Sequence, residues 1–301
     1  MGAPRGLIRR PPLGKPVIDG REVHDRALRR LKRRMHALRI TRAERDELEL
    51  EQRLRAHPGV TRPNVIAVVS PKGGVGKTTA TLLAGNLLAS HLKLRTVAVD
   101  ASPAFGTLGR FPPAGARPGR SPAELLEAAD KVATAAELGR YVARLPSGLH
   151  LLGSRGKGGP DAGGCGRLLA LLSCFYDAVV LDLGPGVSAP VARLAIARAD
   201  QLVLVTTPDR LTAKVVLDAL DELPSDAATV LVNKAHPHPV DELRAVEECF
   251  RDRNPHRTVT VPYDRRLAAM LDAGTYSLEA LDATTRLPVK RLGLSVADQL
   301  V

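Results

Sequence analysis

The chain has 301 residues, 44% of them hydrophobic, which suits one full α/β core, and 44 Lys+Arg against 32 Asp+Glu leave a net charge of +12. With four Phe, four Tyr and no Trp, that core must be built from Leu, Val and Ala. Cys165, Cys174 and Cys249 form no CxxC pair, which excludes a disulfide framework and a cysteine metal site, and no apolar run approaches the roughly 18 residues of a membrane span.

The charge is uneven. Residues 1–42 carry 13 Lys+Arg against 3 Asp+Glu, so the rest of the chain is close to neutral. Residues 1–20, rich in Pro, Gly and Arg, are expected to be a disordered basic tail. They contain no apolar leader segment, and Met1-Gly2 lacks Ser or Thr at position six, so neither secretion nor myristoylation is expected. Residues 21–60 are expected to form a basic helical extension. Leu28, Leu31, Met35 and Leu38 make an apolar stripe, and Arg29, Arg30, Lys32, Arg33 and Arg34 cover the other faces. Such a helix can neutralise DNA phosphates, lie on an anionic membrane, dock on a protein, or pack on its own domain. No aromatic residue interleaves the basic run, so base stacking is not supported. Thr41 with Glu44 reads as a capping box that opens a second helix, carrying Leu48, Leu50 and Leu54 and ending near Pro58-Gly59.

Residues 64–79 read NVIAVVSPKGGVGKTT and organise everything after them. The β-branched run 65–69 predicts a buried parallel strand, and ATLLAGNLLASHL beyond the glycines predicts a helix. Strand, glycine-rich turn and helix start make a phosphate cradle. Glycines let backbone N–H groups approach an anion, and the helix N-terminus adds partial positive charge. Gly73, Gly74, Val75, Gly76, Lys77, Thr78 and Thr79 are the candidate cradle. In it Lys77 reaches the β- and γ-phosphates and the Thr78 hydroxyl ligates Mg²⁺. The general motif has a glycine where this chain has Pro71, and here a second lysine, Lys72, stands in front. This KGGVGKT variant resembles the deviant Walker A motif of the ParA/MinD family of ATPases.

Farther along, residues 95–100 (RTVAVD) predict a second buried strand, which delivers Asp100 into the ligand crevice. The family resemblance makes Asp100 part of the Walker A′ box, normally Asp-x-Asp followed by Pro. The sequence here is Asp100-Ala101-Ser102-Pro103, so the second carboxylate, which helps position the attacking water in the family, is Ser102. Loss of one positioning group costs on the order of a hundredfold in rate, which leaves slow hydrolysis and a switch that works by binding alone both open. Residues 105–120 read as a loop, with Ser121 capping a helix that has Pro122 at its first position. Residues 148–153 predict a strand, and the glycine-rich stretch 156–166 reads as a flexible loop. Residues 176–182 (YDAVVLD) predict a strand ending in Asp182, the Walker B candidate, which with Thr78 would hold Mg²⁺. Gly184 and Gly186 follow in a turn that, by the resemblance, tracks the γ-phosphate through their amides.

Three more strand–helix units are predicted, with strands at 200–206, 228–232 and 258–261. A guanine site of the NKxD type needs an Asp that Asn233-Lys234-Ala235-His236 does not supply. The resembled family's adenine pocket has an Asn here and backbone near the later proline, which points to Asn233, Pro262 and ATP. The resemblance spans 64–301, including residues 271–281, and within the family these motifs look most like actinobacterial MinD/ParA-like proteins, some secretion-associated. The final helix, 287–301, carries Leu292, Val296 and Leu300 and is expected to pack on the core rather than on a membrane.

Alternating strands and helices predict an α/β fold: a doubly wound, mainly parallel sheet of about seven strands, the P-loop NTPase fold, over 61–301. The resemblance implies an ATPase that forms an ATP-dependent homodimer around ATP and Mg²⁺. Lys72 crosses to the partner's nucleotide, and Lys72, Lys77, Asp100 and Asp182 do the chemistry. The expected location is the cytoplasm, including the inner membrane face and the nucleoid.

Overall fold

A computed structural model describes residues 42–102, 106, 108–111, 120–153, 159–223, 228–235, 240–253 and 257–300. The basic stripe at 21–40, Thr41, Pro103 and His236 lie outside them. Residues from Asp46 onward make one compact unit.

β1 (Asn64–Val69) is buried at every position, as its β-branched run requires. Its pleat sends Ile66 and Val68 to one face of the sheet and Val65, Ala67 and Val69 to the other. It is followed by α2 (Lys77–Ser90), and preceded by α1 (Arg42–Arg55). Next come β2 (Thr96–Asp100), α3 (Pro122–Glu127), α4 (Ala135–Leu138), β3 (Ala143–Arg144), β4 (His150–Leu152) and α5 (Ala162–Ser173). The chain continues through β5 (Ala178–Asp182), α6 (Pro190–Arg198), β6 (Gln201–Thr206), α7 (Arg210–Glu222), β7 (Ala228–Asn233) and α8 (Val240–Arg253). It ends with β8 (Thr258–Val261), α9 (Arg265–Asp272) and α10 (Ala283–Ala297).

The eight strands lie in the order β3-β4-β2-β5-β1-β6-β7-β8, and every pairing is parallel except β3 with β4. The chain winds outward from β1 on one side, returns at β5, and crosses β1 to build β6, β7 and β8 on the other. β1 is thus the switch point, and the crevice beyond its carboxyl end is where such a sheet takes a ligand. Leucines 82, 83, 87 and 88 of α2 join one core layer with Leu267, Leu271, Val289, Leu292 and Val296 of α9 and α10. Each fully buried leucine contributes about 1.5–3 kcal/mol. The other layer sets Leu168 and Leu172 of α5, Val191 of α6, Val216 and Leu220 of α7, and Phe250 of α8 against the opposite face.

The doubly wound fold is as expected, with three local differences. The eighth strand, β3, is a two-residue antiparallel edge, too short to leave a period in the sequence. The glycine-rich stretch expected to be a flexible loop is instead helical from Ala162 onward. Asp161 caps the helix by accepting from the Gly164 amide at 2.6 Å, and burial of Leu168, Leu169 and Leu172 outweighs the glycines. The last helix begins at Ala283, four residues before the expected start, and accommodates Pro288 inside it. It does pack on the core. Among the described residues no helix is long and apolar enough to cross a membrane.

α1 meets α10 through Leu50 and Leu54 against Leu294, while Leu48 stays half exposed. An ionic seam flanks this contact. Glu47 accepts from Arg286 Nη2 at 3.0 Å and from Lys290 Nζ at 2.8 Å, and the Lys290 side chain is only 7% exposed. The Arg286 hydrogen bond, with Lys290 behind it, holds the Glu47 carboxyl down at about 2. This seam's stabilisation is therefore present above about pH 4.5 and lost as pH falls toward 2. Glu47→Ala leaves Lys290 buried with only Glu51, at 3.7 Å, for company. The expected loss in chemical denaturation at pH 7 is about 2–4 kcal/mol, with nucleotide affinity unchanged.

Candidate functional site

β1 ends at Val69, and the loop from Ser70 to Gly76 turns over its carboxyl end into α2. Gly74 and Gly76 take φ of 75° and 98°, the left-handed region that glycine enters without strain. Gly76 is doubly constrained. A Cβ on it would fall 2.2 Å from Asn233 Nδ2. Asn233, at the end of β7, donates to the Val75 carbonyl at 2.9 Å, and Lys234 Nζ donates to the Gly74 carbonyl at 2.7 Å. The glycine bend is thus braced from two strands away, and Val75 is anchored in the core layer beneath. No side chain caps α2, whose first turn faces the bend. Helix starts of this kind suit an anion.

Lys77 is 9% exposed, and its Nζ donates to the Lys72 carbonyl at 3.2 Å. Burial lowers its pKa while the charge of Asp182 raises it. Lys72 is half-buried, its amide donating to Ser70 Oγ at 3.2 Å. The Thr78 hydroxyl donates to Asp182 Oδ2 at 2.6 Å.

Two acids close the site from below. Asp100 and Asp182 end the adjacent parallel strands β2 and β5 and are paired in register. Both are buried. Desolvation pushes Asp182 up to about 7; the Thr78 hydrogen bond opposes the shift, and the neighbouring Asp100 charge adds to it. Desolvation pushes Asp100 up to about 6 against the Ser102 and Leu108 amides. Asp100 Oδ1 accepts from the Ser102 amide at 3.2 Å, whereas Oδ2 is buried with no hydrogen bond among the described residues. Gly106 lies directly on it, where a Cβ would come within 1.8 Å of Oδ2. Beside the pair, residues 183–186 and Ser102 line a small hollow of about 190 Å³. The Gly186 amide donates to the Ser70 carbonyl at 3.1 Å, tying this turn to the glycine bend.

The structure therefore brings Lys72, Gly73, Gly74, Val75, Gly76, Lys77, Thr78, Thr79, Asp100, Asp182 and Asn233 together around the carboxyl ends of β1, β2, β5 and β7. Pro262 follows the next strand, β8, whose Val261 carbonyl accepts from the Ala235 amide at 3.3 Å. Sequence reasoning missed Lys234 as a brace, because nothing local signals its left-handed φ of 59°. It missed Gly106 as well, the close neighbour of Asp100. The residues fit a hard cation. Thr78 and Asp182 present oxygens already at hydrogen-bond distance, and the buried Asp182 charge is one that a divalent ion would relieve.

The model of the CobQ/CobB/MinD/ParA nucleotide binding domain matches residues 66–277. The chain is 29% identical over 274 residues to the ESX-1 secretion-associated protein EspI of Mycobacterium tuberculosis, an alignment covering 85% of this chain. It spans only 39% of that relative's length. Among solved structures, a ParA family ATPase from Chlorobium tepidum superimposes with a TM-score of 0.58 at 20% identity, over 76% of this chain and 96% of the other. An ATP complex of a McdA variant from Cyanothece gives 0.58 at 18% identity, over 80% and 98%. At these identities the superpositions speak to the fold.

Proposed function

The chain belongs to the CobQ/CobB/MinD/ParA nucleotide-binding family, and we propose that it is an ATP- and Mg²⁺-dependent switch whose two copies close on bound nucleotide to position or regulate a cargo. The observation that carries this reading is the Thr78–Asp182 oxygen pair set beside Lys77 under a braced glycine bend. Thr78 and Asp182 would hold Mg²⁺, which supplies charge neutralisation across the phosphates. The bend's amides and Lys77 bind the triphosphate and fix its orientation. Asn233 and the backbone near Pro262 face the base. Asp100 helps orient water. Lys72 reaches the nucleotide of the second copy, so ATP becomes part of the interface. The Gly186 amide is engaged by Ser70 and meets a γ-phosphate only when that bond opens, which couples the turn to the nucleotide state.

Lys72→Ala tests the reading. Calorimetric ATP–Mg²⁺ affinity is expected to stay within about threefold of wild type. The ATP-induced shift to a dimer in size-exclusion chromatography is expected to disappear. An elution volume of the wild type unchanged by ATP overturns the sandwich.

Ser102 favours a second reading, a nucleotide-gated binding protein with negligible turnover. The serine stands where the family has its second acid, and a hydroxyl is a far weaker base. Phosphate release measured with and without DNA or lipid separates the two. ATP-dependent dimers without stimulated release favour the second. For the cargo, the secretion-associated relative supports a secretion or transfer complex over DNA partitioning or septum positioning. The basic residues ahead of Asp46 are the reader of DNA, membrane surface or protein, while α1 from Asp46 onward belongs with the nucleotide-binding unit, an ATPase that works in the cytoplasm.

A further inference from the structure

A cleft of about 520 Å³ opens at the far end of the sheet from the nucleotide site. Thr96 and His150, the first residues of β2 and β4, line it. Asp100 is the last residue of β2, so four residue rises, about 13 Å, separate the two places. The volume is within the range of small-molecule sites.

The lining is chemically one-sided. Leu138, Phe175 and Tyr176 give apolar and aromatic surface, while Lys93 and Arg144 give donors, the Ser147 hydroxyl is spent on Asn86 Oδ1, and no Asp or Glu contributes. Neither Lys93 nor Arg144 has an ion-pair partner among the described residues. Two nearby acids are already engaged. Asp177, next to Tyr176, is held by Arg95 through Nη2 at 2.6 Å and the backbone amide at 2.8 Å. Glu137, next to Leu138, accepts from the Ala133 and Thr134 amides, each at 2.9 Å.

His150 adds to the pattern. Its Nδ1 lies 2.8 Å from the Tyr176 hydroxyl, with the two rings edge to face. Burial and the Arg144 charge hold the imidazole below its ordinary range, so the ring is neutral at pH 7. Nδ1 is thereby engaged on the Tyr176 hydroxyl, whichever of the two carries the shared proton, and the ring is fixed at the cleft wall. Lys93 is held at a left-handed φ of 58°, a conformation that a lysine rarely adopts.

We propose that this cleft binds a small organic anion, an aromatic body packed on Phe175 and Tyr176 with one acidic group at Arg144 and Lys93. Donors with no acid among them select a carboxylate or a phosphate ester, and the cleft's size admits a body of one to three aromatic rings. The site is separate from the nucleotide and does not depend on it.

Anilinonaphthalene sulfonate is the probe, titrated by fluorescence into the full chain saturated with ATP–Mg²⁺. One saturable site per chain is expected. Arg144→Glu is expected to weaken it roughly ten- to a hundredfold. Ala135→Trp, which fills the cleft from an exposed helix position and keeps every charge, is expected to abolish it. Both variants should bind ATP as wild type does, which shows that they are folded. Displacement of the probe by naphthoate identifies a carboxylate site, and displacement by adenosine monophosphate a phosphate-ester site. No saturable binding, binding unaltered in both variants, or displacement by neither competitor overturns the proposal.

Discussion

Asp182→Asn is expected to make the nucleotide-free protein more stable at pH 8 and, at the same time, blind to magnesium. Asp182 is 4% exposed, and desolvation lifts its carboxyl from 3.8 to about 7, the nearby Asp100 adding to the effect. A folded-state value above the unfolded one means that the native state holds the proton more tightly. The native advantage is then full below about pH 4 and is lost as pH rises through 7. Above that, the chain carries a desolvated charge worth up to about 4 kcal/mol against folding. The amide removes the charge, and its oxygen still accepts from Thr78. The variant should gain about 2–4 kcal/mol at pH 8, a rise in melting temperature of roughly 5–10 °C, falling to less than half near pH 5 and toward zero below about pH 4. Wild type should recover the deficit when ATP and Mg²⁺ are added, and the variant should not. Thermal unfolding at three pH values, with and without ATP–Mg²⁺, reads both effects. Equal melting temperatures at pH 8 would mean that Asp182 carries no buried charge.

Gly76→Ala is expected to lose nucleotide binding by more than about a hundredfold. A left-handed φ of 98° costs an alanine about 1–2 kcal/mol. The new methyl group also falls 2.2 Å from Asn233 Nδ2, so the bend or the Asn233 side chain must move, and the bond to the Val75 carbonyl is lost. An unmade buried hydrogen bond adds about 1–3 kcal/mol. Asn233→Ala on the same background removes the collision but not the backbone strain, so affinity should recover only in part. Calorimetric titration with ATP–Mg²⁺ measures each variant. Binding by Gly76→Ala within about threefold of wild type would show that this bend does not grip phosphate.

What could be read from the sequence, and what could not, divides by physical range. The glycine bend, Lys77, Thr78 and the two strand-end acids were legible because each sits next to an apolar run whose type and length announce a buried strand. The doubly wound sheet followed from the same runs. Bracing of the bend by Asn233 and Lys234 was not legible, since those contacts join residues 158 and 160 positions apart. Gly106 against Asp100 depends likewise on how a loop folds back. The helix at Ala162–Ser173 was hidden by three glycines, whose local preference gave way to a cap and three buried leucines. Pro288 is a parallel case. A strong local stop signal was overridden by burial of Val289, Leu292 and Val296.

The seam between Glu47 and Lys290 fixes where the molecule can be cut. Trimming the chain back to residue 60 to remove its positively charged arm would also strip the carboxylate from a buried ammonium and bare Leu294. Any loss of cargo recognition would then be confounded with partial unfolding. A truncation beginning just before Asp46 discards most of the excess arginine while leaving this junction whole, so it isolates the arm's contribution.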